Sequence, residues 1–408
     1  MKKRLLYLTR FFDPEISSGL TNRFLKTLDE LCTRFDVYVV LFVSEPDEYE
    51  KFRRYFRDKT ANITAIEINR TKKMQEALKT FLFGTNFYDI YYTKKVRNFL
   101  VDFITINNID IIYANYFYLT PIFMESISKN LVKVVDLVDS VSLHIREAEK
   151  ISLARRAFYG RVKNSVLSME LKAIENADVV FITTEKEKEY FSGKISATNL
   201  EKIHVLWNGV EAHMFNVGEQ RLVQIENNEF QLNNRIAFLG SLDYYPNNLA
   251  AIRLVSKIFP RLLERKPELE LYIVGRDPSQ ELRSLCLGND RVKLFGYVEN
   301  IDEVLLNVDM LVLPMTIASG IQNKLLTGLC SAMPVIISSR AFFSKELVNL
   351  VNVISAESDD EYINNILLLY QDVSKVMEIS KNSYNFAKNK LQWPAILKRY
   401  TEIIQNML

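Results

Sequence analysis

The sequence predicts an α/β protein of two doubly wound, Rossmann-like domains, and three observations support it. Short β-branched runs alternate with longer helical patterns along almost the whole chain. These runs fall into two series with a polar break between them. The few glycines stand where strands end and helices begin. Alternation of this kind builds parallel sheets covered by helices on both faces. The first series is RLLYLT (4–9), VYVVLFV (37–43), ITAIEI (63–68), IDIIYA (109–114), KVVDLV (133–138) and DVVFIT (178–183). The second is IHVLW (203–207), RIAFLG (235–240), LELYIVG (269–275), VKLFG (292–296), DMLVLP (309–314) and PVIIS (334–338). Between strands lie amphipathic patterns such as TNRFLKTLDELCTRF (21–35), with Phe24, Leu25, Leu28, Leu31 and Cys32 on one face. The polar stretch FSGKISATNLEK around 190–202, with Gly193 to stop a helix, is the expected break. Domains are therefore expected at 1–195 and 196–380, followed by helices over 381–408 that a Trp-Pro step interrupts.

A length of 408 residues suits two or three domains, each with its own core. With 48% hydrophobic and 25% charged residues, long disorder is excluded. Lys+Arg at 52 nearly cancels Asp+Glu at 50, which argues against a nucleic-acid binder with a basic surface. The three cysteines, Cys32, Cys286 and Cys330, form no CxxC pair, so they read as buried free thiols rather than a disulfide or zinc framework. Arg10 and Asp13 break the apolar start MKKRLLYLTRFFDPE, which reads as a first strand and not as a signal peptide. No run of about 20 apolar residues offers a membrane span. The expected location is cytoplasmic, with room for peripheral contact at the inner face of the cell membrane.

Glycine numbers 12, about half the usual ~7%. Gly19, Gly240, Gly275, Gly296 and Gly320 each follow a strand or open a helix, in the loops where open α/β sheets bind ligands. Neither GxGxxG nor GxxxxGK[ST] occurs, which removes support for a dinucleotide dehydrogenase or a P-loop NTPase. The densest cluster is LPMTIASGIQNKLLTGLCSAMPVI (313–336). Here Gly320 permits a tight turn into a helix expected to start near Ile321. Its free N–H groups and the Lys324 ammonium make a diphosphate cradle. The plainer alternative is an ordinary helix start with a solvated lysine.

This segment resembles the donor-binding loop of GT-B glycosyltransferases of the large retaining family 4, especially a subgroup of bacterial exopolysaccharide sugar transferases with a GIQNK-type loop, here Gly320-Ile321-Gln322-Asn323-Lys324. Further pieces match in order: FDPEISSGLTNR (12–23), KVVDLVDSVS (133–142), AIENADVVFITTEKE (173–187), LWNGVE (206–211), IAFLGSLDYYPNNLAAI (236–252) and LYIVGRDPS (271–279). The resemblance implies two Rossmann-like domains facing across a cleft, with the C-terminal helices crossing back to the first. It implies retaining transfer of a sugar from a nucleotide-sugar donor to a glycan, lipid-linked or other hydroxyl acceptor, in surface polysaccharide or glycoconjugate synthesis. No cofactor or metal is expected, the donor being a co-substrate. The implied donor-site residues are Gly19, Gly240, Ser241, Arg276, Ser319, Gly320, Ile321, Gln322, Asn323, Lys324 and Thr327. Asp139 and Lys324 are the implied catalytic pair.

The chain departs from the family at two glutamates eight residues apart, whose positions read Ser319 and Thr327. A carboxylate accepts two ribose hydroxyl bonds worth about 1.5–3 kcal/mol each, where threonine offers one neutral oxygen. Donor affinity is then about 10- to 100-fold lower, or the ribose is held otherwise, or the site is inactive. The last outcome describes a non-catalytic GT-B scaffold or carbohydrate-binding partner; a nucleotide-sugar epimerase on the same fold is a further alternative. The Arg/Lys pair expected after Gly240 is also missing from SLDYYPNN.

Asp139, ending a strand, either orients or deprotonates the acceptor hydroxyl or caps the next turn with Ser140; Asp136 reads as structural. His204 reads as a core residue, and His144, near Asp139, as a candidate for the cleft. Arg276 either meets a donor phosphate or base or forms a surface ion pair. Arg155, Arg156, Arg161 and Lys163, with Phe158 and Tyr159, form a basic–aromatic patch for an anionic membrane or lipid-pyrophosphate acceptor, or else a solvated helix face.

Overall fold

The computed structural model describes residues 2–15, 19–60, 62–68, 91–149, 153–317 and 320–408, with backbone alone over 148–149 and 153–161. The chain divides into two compact units, Met1–Asn208 with Pro394–Leu408, and Gly209–Trp393. Each is a parallel sheet with helical connections.

The first sheet runs β3-β2-β1-β4-β5-β6-β7. Its strands are β1 (Arg4–Arg10), β2 (Asp36–Val43), β3 (Ile63–Glu67), β4 (Ile111–Asn115), β5 (Val132–Val138), β6 (Val179–Ile182) and β7 (Ile203–Val205). The second runs β10-β9-β8-β11-β12-β13. It comprises β8 (Arg235–Leu239), β9 (Glu270–Val274), β10 (Val292–Phe295), β11 (Met310–Leu313), β12 (Val335–Ile337) and β13 (Ile354–Ser355). The helices that carry the site are α1 (Gly19–Arg34), α2 (Val141–Glu149), α3 (Leu153–Asn176), α4 (Glu185–Ser192), α5 (Tyr245–Arg253), α6 (Asn323–Cys330) and α7 (Trp393–Gln405).

Central strands such as β4, β6 and β11 are buried at every residue, which is why they read as unbroken apolar runs rather than alternating ones. Strand order reverses between β1 and β4, and again between β8 and β11. At such switch points neighbouring loops diverge and leave a crevice at the carboxyl ends of the strands.

Three expectations are corrected, and one strand is added. IHVLW, assigned to the second series, supplies β7, which pairs with β6 as the edge of the first sheet. Three residues of strand carry no signal of which sheet they join. The donor-loop helix starts at Asn323 rather than Ile321, because Gly320 at φ 62° and an extended Gln322 delay the first turn. Cys32 is only partly buried, unlike Cys286 and Cys330. β13 went unread, its two residues being too short for a pattern.

The first unit holds α7 through an ion pair with no solvent exposure. Arg23 of α1 donates from Nε and Nη2 to Asp136 of β5 at 2.9 and 3.1 Å. Its Nη1 donates to the Leu206 carbonyl at 2.8 Å and to Asn208 Oδ1 at 3.2 Å. Tyr400 of α7 donates to Asp136 at 2.9 Å, and Tyr113 of β4 at 3.3 Å. Asp136 is thus structural, as its place inside a strand suggests. Among the described residues, no helix is long and apolar enough to cross a membrane.

Candidate active site

At the carboxyl ends of β8 and β9 the backbones of Gly240 and Gly275 touch. A Cβ on Gly275 would stand 1.9 Å from the Gly240 carbonyl oxygen, so neither loop accepts a side chain there. Gly240 N–H donates to Val274 O at 3.0 Å, and Leu242 N–H to Arg276 O at 2.9 Å, zipping the two loops together. Pro246 in the first turn of α5 sets the helix start and presents Asn247 to this junction.

Asn247 joins the predicted residues. Its Nδ2 donates to the Ser241 carbonyl at 2.9 Å, and its Oδ1 accepts from the Lys324 ammonium of α6. Lys324 lies 5.7 Å from the centre of the Phe238 ring. The lysine's stem is half-buried while its ammonium is enclosed, with no carboxylate partner among the described residues. Desolvation therefore pulls its pKa down to about 7. The solvated-lysine alternative does not describe this residue.

Ser241 Oγ accepts from Arg276 Nε at 2.9 Å and donates to Asp243 at 2.6 Å. Arg276 also approaches Asp243 at 3.7 Å and Asp277 at 4.0 Å, all three well exposed. Arg276 thus takes part in a surface ion pair, the plainer of its two sequence readings. Gly240, Ser241, Arg276 and Lys324 form one connected cluster, with Asn247 and Asp243 as members the sequence reading passed over. The signal for Asn247 was its place one residue after the helix-starting proline.

Around α6, Gly320, Ile321 and Gln322 are partly buried and Asn323 is exposed. The first intrahelical bond is Leu325 N–H to the Gln322 carbonyl at 2.8 Å, leaving the Asn323 and Lys324 amides ahead of it at the positive end of the dipole. Thr327 spends its hydroxyl on the Asn323 carbonyl at 3.1 Å, a bond back along its own helix. Ser319 lies outside the described residues.

In the first unit, Gly19 opens α1, and Asp139 follows Val138 at the end of β5. Val138 has φ 62°, a conformation that costs a β-branched residue on the order of 1–3 kcal/mol and persists only where surroundings enforce it. The Val138 N–H bond to Asp136 at 3.0 Å is one such constraint, and it turns Asp139 out of the strand. Asp139 accepts from Thr183 Oγ1 at 2.7 Å, while Ser140, not Asp139, caps α2 by accepting from Leu143 N–H.

Thr183 Oγ1 also lies 3.1 Å from Glu187, so one hydroxyl bridges two carboxyl groups. Burial, reinforced by the Asp139 charge, pushes Glu187 up to about 8, so near neutrality it keeps a proton to share through Thr183. The S/T-x-x-E capping box Thr184…Glu187 at the start of α4 was its sequence signal. His144 is partly buried beside Asp139 and Lys186, and desolvation lowers its pKa. His204 is partly buried on edge strand β7, between the buried Ile203 and Val205, rather than fully in the core.

Glu170 of α3 accepts from Val141 N–H at 2.6 Å and from the hydroxyls of Ser140 and Ser142, holding the start of α2 beside Asp139. Burial raises it to about 7 against these bonds. A carboxyl whose pKa rises from 4.5 to about 7 on folding adds stability that is complete below pH 4.5 and lost as pH climbs through 7. Glu170→Gln is expected to flatten that slope and to raise stability at pH 8 by on the order of 2–3 kcal/mol, with little change at pH 5. Urea midpoints at the two pH values check this; an unchanged slope contradicts it. Of the basic–aromatic patch, only the Lys163 side chain lies within the described residues.

Comparison with known proteins identifies the fold. HepE from Anabaena, solved in complex with UDP, matches at TM-score 0.68 and 13% identity over 99% of this chain and 100% of its own. Sucrose-phosphate synthase from Thermosynechococcus elongatus matches at TM-score 0.69 and 14% identity over 100% of this chain and 99% of its own. The fold is GT-B. A variant of S. aureus TarM in complex with fondaparinux, alpha-GlcNAc-glycerol and UDP matches at TM-score 0.65 and 11% identity over 98% of this chain and 99% of its own. Residues 233–372 match the model of the glycosyl transferases group 1, a span that holds the Gly240–Ser241–Arg276–Lys324 cluster of this GT-B chain. No curated protein sequence matches it.

Proposed function

We propose that the chain is a retaining glycosyltransferase that moves a sugar from a nucleotide-sugar donor to a hydroxyl of a glycan or lipid-linked acceptor, without a metal. The observation that carries this is the enclosed Lys324 ammonium at the start of α6, with no carboxylate partner among the described residues and tied through Asn247 to Ser241. An uncompensated buried cation beside a helix N-terminus is matched by a diphosphate. The group 1 match over 233–372 and the UDP bound by HepE and TarM support the same reading.

In this proposal the bond from the sugar's anomeric carbon to the diphosphate breaks while Lys324 and the α6 amides take up the developing charge. The acceptor hydroxyl attacks on the face the diphosphate leaves, and a departing phosphate oxygen takes its proton. Asp139, placed by Thr183, orients the acceptor hydroxyl. With Thr327 bonded to its own helix, ribose recognition falls to other groups, and donor affinity is modest.

Nucleoside diphosphates and their sugars are expected to raise the melting temperature, because a ligand that binds only the folded state stabilises it. A shift confined to one base names the donor. No shift with any nucleotide would reject donor binding and favour a non-catalytic scaffold.

A further inference from the structure

We infer that Arg10 is an anion-recognising residue for the acceptor, so that the acceptor carries an oxyanion, a carboxylate or a phosphate, near its reactive hydroxyl. The inference rests on the proposed transfer reaction and names the class of acceptor.

Arg10 ends β1, and Tyr116 follows β4; these two strands form the switch point of the first sheet. The guanidinium carbon lies 5.0 Å from the Phe12 ring centre and 5.3 Å from that of Tyr116. Its electrostatic neighbours among the described residues are Tyr118, Tyr116 and Tyr91, with Tyr116 also a hydrogen-bond partner, and no carboxylate is among them. Its Nε atom is buried and has no hydrogen-bond partner among the described residues, as is true of the nearby Tyr118 hydroxyl. Such groups are ordinarily satisfied, and guanidinium most often by a carboxylate. Arg10 as a whole is only partly buried.

The surrounding rings are fixed. Tyr118 stacks on Tyr91 at 4.7 Å and on Tyr116 at 5.2 Å. Phe12, Phe24, Val138 and Tyr116 form a small cluster apart from the main core of the first sheet. Two of its residues hold left-handed backbone, Tyr116 at φ 71° and Val138 at φ 62°. Strain of this kind concentrates at ligand sites. Val138 directly precedes Asp139, and the Asp139 charge acts on Tyr116, so Arg10 and Asp139 flank the same tyrosine. A planar fork of donors on an aromatic wall suits a carboxylate or phosphate.

The test uses the full chain, saturated with its nucleoside diphosphate to occupy the donor site. Binding of glucose, glucuronate and glucose 6-phosphate is measured by calorimetry for the parent, Arg10→Lys and Arg10→Gln. The parent is expected to prefer one charged sugar over glucose by at least tenfold. Arg10→Gln should abolish that preference, and Arg10→Lys should retain only part of it. Preference for glucuronate identifies an acidic sugar, and preference for glucose 6-phosphate a phosphate. Equal binding of all three, or a preference that survives in Arg10→Gln, overturns the inference. The nucleotide-induced melting shift should be the same in Arg10→Gln as in the parent. Its absence from every variant and the parent would instead reject the transfer reaction itself.

Discussion

Asp136→Ala is expected to cost about 3–5 kcal/mol of stability, the range for removing one partner of a buried ion pair. The substitution leaves the fully buried Arg23 guanidinium without its bidentate acceptor. It also strands the hydroxyls of Tyr400 and Tyr113 and the amide of Val138. The loss thus spreads to α1, β4, β5 and α7 together. Replacing both partners, as in Arg23→Met with Asp136→Leu, is expected to recover part of it, because no isolated charge then remains. Urea unfolding of the three variants measures this. A loss below about 1 kcal/mol for Asp136→Ala would show that the pair is solvated.

Lys324→Met is expected to weaken nucleoside diphosphate binding by about 10- to 100-fold, the value of a charge-assisted bond, and to cut turnover by about 10²- to 10³-fold. Lys324→Glu, which places a negative charge against the diphosphate, should abolish turnover without unfolding the chain. The methionine variant should be at least as stable as the parent at pH 7 and below. There the native lysine must either stay charged without solvent or give up a proton that the unfolded chain keeps.

The same residue sets a pH dependence. A bound diphosphate favours the charged ammonium, so binding takes up a proton once the free lysine, with its pKa of about 7, has lost it. Affinity is therefore expected to fall toward tenfold per pH unit above 7, and Lys324→Met should remove this slope. Titration calorimetry from pH 6.5 to 9 reads both. A flat parent profile, or undiminished affinity in the methionine variant, would show that Lys324 does not face the diphosphate.

The strands were legible because parallel strands buried on both faces must be apolar throughout, and β4, β6 and β11 are. The glycines were legible for a related reason. Gly240 and Gly275 stand where two backbones meet too closely for a Cβ, and Gly320 where the chain turns left-handed. Asn247 and Thr183 were not legible as site residues, since a lone amide or hydroxyl in a loop looks like any turn former. Only their partners, Lys324 for one and Asp139 with Glu187 for the other, give them meaning.

Most strands, the two-sheet plan and the GIQNK loop follow from the sequence alone, because each rests on patterns within about twenty residues. Three things required the tertiary structure: the sheet that β7 joins, the ionisation of Lys324, Glu170 and Glu187, and the placement of Arg10 among tyrosines. Strand pairing depends on which edge is open, and a pKa depends on how much solvent and opposite charge the rest of the fold leaves nearby. Neither is a property of the residue or its neighbours in sequence.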